Sequence, residues 1–502
     1  MYFSIEPMGN FGNRMLEYMV ALAVGRHFPQ PLSLNCQLPE IGLEFDRNLH
    51  DQLLADEAKT YVVKDRDVTS ISALVENIKK SGATAVVFQG FFQRYELYEK
   101  AEFYRDFVFK KQPLDIAPFG ENDLVINIRA GEILGGGVSW YPLVPVNFYE
   151  TLISRTKCNP VFLGQIQDCE YIREIQKAFP DARMIPSGGA ITDFNRLLHA
   201  KRICITVSTF SWLAAWLSTA TEIHYPLLGF LHPFCLPKGT HGNGGIDLTP
   251  LGDPRYRYHL FPILNAEPEG EYLRFTKTLN PISQAVSEQF VDELCQKSRT
   301  NYQTINTAKN KHYLKKYPDA AWSVSSGRAD SALAHYENIG KIHGYSLFDT
   351  PPRPPLENVA LHKSATQSSI SAWSIGKTPE ADASGAVDGV IDGFYSFHTA
   401  LEDAPWWRVD LGGTCTISEI RVFNRVEHEE LARRANRIAI DIGNNEDGYR
   451  EAFRYESETP FGGSDGKPLI FKPGEPIHGR FVRIRLRTRN CLHLEQVEIY
   501  GE

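Results

Sequence analysis

Leu124-Val-Ile-Asn-Ile-Arg-Ala-Gly-Glu132 decides the fold class of the first half of the chain. A short, nearly unbroken apolar run bounded by turn residues reads as a buried strand, and this one delivers Arg129 at its end with Gly131 beside it. Pro160 to Leu163 and Arg202 to Val207 repeat the pattern, with helical periodicity in Tyr171 to Phe179 and Phe194 to Ala200 between them. Strand-like and helix-like segments alternate in this way over residues 1–265, which predicts an α/β fold of two doubly wound lobes, about 1–115 and 116–265. Lys110 to Asn122, with its Pro, Gly and Asp, is the expected crossing.

From Asn280 the character changes. Asn280 is placed to cap a helix with Pro281 at its first position, and Ile282, Ala285, Val286, Phe290 and Leu294 follow helical spacing. A second helical stretch is predicted from His312 to about Ile342, so residues 266–349 read as a helical spacer. Thr350-Pro-Pro-Arg-Pro-Pro355 cannot continue a helix and favours polyproline geometry, which makes residues 350–357 a semi-rigid linker. Residues 358–502 break into short alternating stretches, among them Trp406 to Leu411, Ile417 to Asn424, Arg437 to Ile442 and Arg480 to Arg487. Gly, Asn and Asp turns separate them, as in an all-β jelly roll.

The 502 residues suffice for about three domains at roughly 150 residues each. Hydrophobic residues at 42% and charged residues at 23% are globular proportions, and no apolar run approaches the roughly 18 residues of a membrane span. Lys plus Arg total 53 against Asp plus Glu at 61, a net charge of -8, so the basic footprint of a nucleic-acid binder is missing. Met1 to Pro7 carries neither a basic leader nor an apolar signal core, which predicts a cytoplasmic protein. The eight cysteines never fall in a Cys-x-x-Cys spacing and read as buried reduced thiols.

Three constellations carry chemistry in the first half. Gly9-Asn-Phe-Gly-Asn-Arg14 follows a strand and opens a helix, where glycines let backbone approach a ligand and free amides suit an anion or a sugar hydroxyl. A tight turn needing positive φ at Gly9 and Gly12 explains the same residues. Arg129, at the carboxyl end of its strand, can grip a phosphate by two parallel hydrogen bonds, or can form a structural ion pair with Glu132. Cys204-Ile-Thr-Val-Ser-Thr-Phe-Ser-Trp212 is a strand ending in hydroxyls before an apolar helix, so Ser208 and Thr209 either bind a phosphate at the helix start or cap the helix. Asp65-Arg-Asp67 has the spacing of a donor-metal motif but no strand-end context, and reads as a solvated turn.

Gly9-Asn-Phe-Gly-Asn13, Ile128-Arg-Ala-Gly-Glu132 and Ser208-Thr-Phe-Ser-Trp212 together resemble the GDP-fucose-dependent fucosyltransferase superfamily, over about Met1 to His232. The resemblance implies a two-lobed GT-B fold and metal-independent inversion at the anomeric carbon. Position by position, it makes Arg129 the neutraliser of the leaving diphosphate and Ser208, Thr209 and Phe210 the donor-phosphate turn. Asp193 becomes the reader of the guanine edge and Asn13 a residue near the reacting centre, while Gly9, Asn10, Phe11, Gly12 and Asn127 line the donor site. The family's His-x-Arg-Arg-x-Asp pattern reads Asn127-Ile-Arg-Ala-Gly-Glu132, so Ala130 replaces a second arginine and a different donor grip or GDP-sugar stays open. Glu132 is the candidate general base.

In the last domain, Asn358-Val-Ala-Leu-His-Lys-Ser-Ala-Thr-Gln-Ser368, Ala386-Val-Asp-Gly389, Pro405-Trp-Trp-Arg-Val-Asp-Leu411 and Val422-Phe-Asn-Arg425 resemble the discoidin or factor 5/8 type C superfamily, closest to the fucose-binding F-type lectins. The resemblance implies a fucose site made by a histidine and two arginines. His398 and Arg425 keep the lectin spacing of 26 intervening residues, Glu427 stands for the family's aspartate, and Ala432 falls where the second arginine belongs, with Arg433 one place later. It also implies a structural Ca2+ held by Asp388, the backbone oxygens of Gly385 and Val390, and the Glu495-Gln496 pair, although an Asp-Gly turn explains Asp388 equally. Glu427-His-Glu-Glu430 reads as an exposed polar run.

The expectation is a cytoplasmic inverting glycosyltransferase that moves fucose from GDP-fucose to an oligosaccharide or polysaccharide hydroxyl. It needs no cofactor for catalysis, has no nucleic-acid partner or membrane span, and carries a C-terminal carbohydrate-binding module. The alternatives are a glycan-binding or assembly protein with a degenerate transferase half, or a transferase for another nucleotide sugar.

Overall fold

The structure is a computed structural model that describes residues 1–29, 32–108, 113–235, 245–300, 311–347, 354–445 and 448–502. The chain divides into two compact units, Met1–Asn306 with Ala321–Asp330, and Thr307–Ala320 with Ser331–Glu502.

The first unit holds two sheets. Strands β1 (Tyr2–Ile5), β2 (Ser33–Asn35), β3 (Thr60–Lys64) and β4 (Ala85–Gln89) form a parallel sheet in the order β2-β1-β4-β3. Strands β5 (Asp123–Ile128), β6 (Asn159–Gly164), β7 (Arg183–Pro186), β8 (Arg202–Cys204), β9 (Glu222–Leu227), β10 (Tyr256–Leu260) and β11 (Gln284–Val286) form the second, in the order β11-β10-β9-β8-β5-β6-β7. All its pairs are parallel except β10 with β11. In β5, Leu124, Val125 and Ile126 are fully buried, because the strand sits inside the sheet with helices packed on both faces, and so its sequence is a continuous apolar run. The second sheet reverses strand order once, at β8 and β5, and ligands of open α/β sheets lie beyond the strand ends at such points.

Two helices that are apolar on nearly every side join the lobes: Phe11–Gly25, after β1, and Thr209–Leu217, after β8. Phe11, Phe194 and Phe210 close their contact as a triangle of rings with centroids 5.6–6.1 Å apart. Gly12 lies inside the first helix, so the positive φ expected of it is absent, whereas Gly9 has φ +65°. Gly12 is required for another reason: a Cβ there would fall 2.7 Å from the Phe210 amide nitrogen of the facing lobe. Gly12→Ala is therefore expected to push the lobes apart and destabilise the unit by about 1–3 kcal/mol, read as a lower urea midpoint for the full chain.

The spacer expectation needs correction. Gln284–Val286 pairs antiparallel with β10 instead of starting a helix at Pro281, and the helix begins only at Glu288. Helix Glu269–Lys277 packs its buried Tyr272 and Leu273 into the first unit, where the Tyr272 hydroxyl donates to the Leu143 carbonyl at 2.5 Å. Burial and sheet pairing thus extend this unit well past residue 265. Lys110 to Gln112, in the expected crossing, and Thr350 to Arg353, in the Pro-rich run, lie outside the described residues. The predicted helix from His312 to Ile342 appears as short segments, including Lys311–Lys316, Pro318–Ser325 and Ala332–His335.

In the second unit, residues 358–502 form the expected jelly roll. Its main sheet runs Glu357–Asn358, Gln496–Gly501, Trp406–Phe423, Ile477–Leu486, Ile438–Gly443, Tyr449–Arg454. Trp407 is fully buried at its centre, and its indole N–H donates to the Ala383 carbonyl at 2.9 Å. No described helix is long and apolar enough to cross a membrane. None of the eight cysteines forms a disulfide among the described residues, and five of them are buried.

Candidate functional site

The three constellations of the first unit, far apart in sequence, meet at the facing strand ends. Asn13 Oδ1 accepts from Thr209 Oγ1 at 2.7 Å and from Gln93 Nε2 at 2.9 Å. Arg129 enters from the end of β5: Nη1 donates to the Val207 carbonyl at 3.1 Å, Nε and Nη2 donate to Glu132 Oε1 at 3.0 and 2.7 Å, and the guanidinium lies 4.4 Å over the Tyr141 ring. The ion pair left open by the sequence therefore exists. Burial works to raise the Glu132 carboxyl, but the Arg129 hydrogen bond and charge outweigh it and hold Glu132 ionised, below its usual range. Ser208 occupies the N-cap of Thr209–Leu217 without a side-chain cap bond, and Ser211 closes the turn instead, donating to the Thr206 carbonyl at 3.2 Å.

Other donor-site expectations sit differently. Asn127 is buried and donates to the Leu163 carbonyl at 3.2 Å, tying β5 to β6. Asp193 is also buried, and its carboxylate accepts from Ser187 Oγ (2.5 Å), the Gly188 amide (3.0 Å) and Arg196 (3.0 Å), so it pins the 187–189 turn. Phe11 and the Phe210 ring serve helix packing, and the Phe210 amide lies against Gly12. Asn10 is exposed at the N-cap of Phe11–Gly25. Asp65 is no solvated turn: it is 2% exposed, paired with Arg94 at 2.8 Å and bonded by the Phe92 amide. Gln93 and Tyr141 belong to the crevice but carry no motif spacing that the sequence could reveal.

One turn beyond Asn13, Glu17 is 1% exposed, and burial pushes its carboxyl from 4.5 up to about 9. The folded state therefore keeps a proton that the unfolded chain releases near pH 4.5, and this contribution to stability is lost as pH rises toward 9. Glu17→Gln is expected to flatten that decline, which urea midpoints at pH 6 and pH 9 would show.

The second site lies on the jelly roll. Phe397–His398 pairs with His493–Leu494, which sets the two imidazoles 5.2 Å apart. His398 Nδ1 lies 2.7 Å from the Thr399 carbonyl and 3.1 Å from Ser371 Oγ. The Arg425 guanidinium lies 4.7 Å over the Tyr395 ring and pairs with Glu427, so the expected exposed run begins with a buried carboxylate. Burial first, then the Arg425 and Arg434 charges, hold both imidazoles below their usual range and so neutral at pH 7. Both ring nitrogens of His493 and Nε of Arg425 are buried without a partner among the described residues, a deficit that a polar ligand can fill.

Arg433 does not join this cluster. It is exposed and pairs with Glu429 one helical turn back at 2.7 Å, while Arg434, the next residue around the helix, is the one whose charge acts on both histidines. Beside the cluster, Tyr395 OH donates to the Trp373 carbonyl at 3.0 Å, and the Trp373 side chain stands 69% exposed.

The residues of the expected calcium turn lie together. Asp388 Oδ1 accepts from the Val390 amide at 2.7 Å, and Glu495 accepts from the Gly393 amide. The Gln496 amide, in the orientation its neighbours require, donates to the Ala386 carbonyl and accepts from the Gly389 amide, both at 2.9 Å. Burial raises the Glu495 carboxyl to about 8, so it is largely neutral at pH 7, and Gly385 contributes only close contact with Ser396. No three His, Cys, Asp or Glu side chains converge among the described residues.

Over residues 385–484 the chain matches the F5/8 type C family described as NedA-like, galactose-binding domain. It is 31% identical to fucolectin-1 of Anguilla japonica over 158 residues, covering 30% of this chain and 84% of that protein. It is 32% identical to the fucolectin of Anguilla anguilla over 149 residues, covering 28% of this chain and 90% of that one. A solved f-lectin from Morone saxatilis serum is 29% identical, with 30% of this chain and 50% of that chain covered and a TM-score of 0.26. Jelly roll and matched residues together define a carbohydrate-binding domain of the F5/8 type C class. Within that class the chain belongs, through this domain, to the fucolectin family.

Proposed function

We propose that the chain is an inverting, metal-independent glycosyltransferase that moves fucose from GDP-fucose to a glycan hydroxyl, and that its fucolectin domain holds fucosylated glycan. The observation that carries the first part is the meeting of Asn13, Thr209 and Arg129 at the facing strand ends, beside the reversal of the second sheet. In this reading the acceptor oxygen attacks C1 of fucose from the face opposite the phosphate. The C1–O bond to GDP breaks, and the acceptor proton passes to solvent. Arg129 and the start of helix Thr209–Leu217 stabilise the charge left on the diphosphate, so positioning and electrostatics supply most of the rate. Glu132 orients Arg129; its low basicity suits that role better than proton abstraction.

For the second part, the orphaned polar atoms of Arg425 and His493 beside His398 carry the reading, supported by the relatives named as fucolectins. Trp373 offers an apolar rim to whatever sugar follows the fucose. A second reading, a glycan-binding protein with an inactive transferase half, draws on Ala130, which is fully buried where the family pattern has an arginine. Calorimetry of the full chain with GDP-fucose, UDP-glucose and dTDP-rhamnose separates the readings. Micromolar binding of GDP-fucose alone supports the transferase; binding of none, with fucose still bound, supports the second reading.

A further inference from the structure

Asn13 is held by its oxygen. Gln93, 5% exposed, follows β4 and donates from Nε2, while Thr209 follows β8 and donates from its hydroxyl, so both acceptor positions of Asn13 Oδ1 are filled from two different lobes. A planar amide fixed at its oxygen has its nitrogen fixed as well. Asn13 Nδ2 donates to no described residue and lies above Gly9, where a Cβ would come within 2.4 Å of it, so a glycine at position 9 keeps that space open. Gln93 itself is anchored. Its carbonyl accepts from the Asp247 amide at 2.9 Å, and the next residue, Arg94, is buried with its guanidinium on Asp65 and on the Val68 carbonyl at 2.7 Å.

We propose that Gln93 and Thr209 are positioning residues that lock the Asn13 amide so that its N–H groups, not its carbonyl, face the oxygen that leaves with GDP. The inference rests on the transferase reading. When the C1–O bond breaks, negative charge appears on that oxygen; a preorganised N–H pair stabilises it, whereas a carbonyl dipole turned toward it would oppose departure. Because Gln93 and Thr209 stand on opposite lobes, the lock is built from both of them.

The test uses Gln93→Glu, isosteric but able only to accept when ionised, which inverts the lock: Asn13 must turn its N–H groups to the new carboxylate and its oxygen to the crevice. Gln93→Met removes the donor without adding charge. The readouts are GDP released from GDP-fucose with water as acceptor, the calorimetric Kd for GDP-fucose, and the melting temperature of the full chain. Gln93→Glu is expected to lower kcat about 10²-fold or more and Gln93→Met by a smaller factor, with Kd and melting temperature for Gln93→Met near wild type and a lower melting temperature for Gln93→Glu from its buried charge. In an Asn13→Ala background neither change should lower kcat further, because the group being positioned is gone. Wild-type kcat in Gln93→Met, or an equal loss in the Asn13→Ala background, overturns the proposal. A wild-type chain that neither binds GDP-fucose nor releases GDP overturns the transferase reading itself and this inference with it, so the two failures are told apart by the wild-type measurement.

Discussion

Arg129→Gln is expected to lower GDP release from GDP-fucose by about 10²- to 10³-fold, the loss typical of one preorganised donor at a developing oxyanion. The side chain reaches the crevice through three contacts, the Val207 carbonyl, Glu132 and the Tyr141 face, and each fixes the guanidinium without neutralising its outer edge. Glutamine keeps a polar group of lesser reach and no charge, so binding of the diphosphate weakens along with turnover. The fold should tolerate the change, because Arg129 and Glu132 are 20% and 53% exposed and a pair at that exposure contributes little to stability. An Arg129→Gln chain with wild-type turnover at unchanged melting temperature would remove the central claim of the transferase reading. Glu132→Gln is the informative companion: as the group that orients Arg129 it should reduce turnover less than Arg129→Gln does, whereas a general base would reduce it as much or more.

Arg425→Ala should abolish measurable binding of methyl α-L-fucoside by the full chain, a loss of about 2–5 kcal/mol in binding free energy, as expected when one partner of a buried charged hydrogen-bond set is truncated. Arg425 is 9% exposed at its side chain and its partner Glu427 12%, so removal also strands a buried carboxyl. Burial already raises that carboxyl against the opposing pull of Arg425, and it will take up a proton when the arginine is gone. The double variant Arg425→Ala with Glu427→Gln removes the stranded acid and should recover stability without recovering fucose binding. The neighbouring arginines supply the discriminating pair: Arg434→Ala should weaken binding strongly, and Arg433→Ala should leave it at the wild-type value. The reverse ranking would restore Arg433 to the site and refute the placement of Arg434.

Local pattern determined much of this protein. The continuous apolar run of β5 requires a strand buried on both faces, and the alternating stretches with Gly, Asn and Asp turns require the jelly roll, because both signals depend on side-chain period and turn chemistry within a few residues. The spacing from His398 to Arg425 likewise sits in the sequence as plainly as in the structure. Tertiary structure decided what depends on distant partners. Asn13 meets Gln93 and Thr209 across 80 and 196 residues, and no local pattern reports such a meeting. Gly12 is needed for a lobe that approaches it rather than for its own φ, Asp65 became buried because Arg94 reached it, and Gln284–Val286 became a strand because β10 offered a free edge. The difference between Arg433 and Arg434 turns on the same distinction: successive residues of the 3-10 segment Arg433–Arg437 are about 120° apart, so Arg433 pairs back with Glu429 while the Arg434 charge acts on both histidines, and only the folded segment sets that angle.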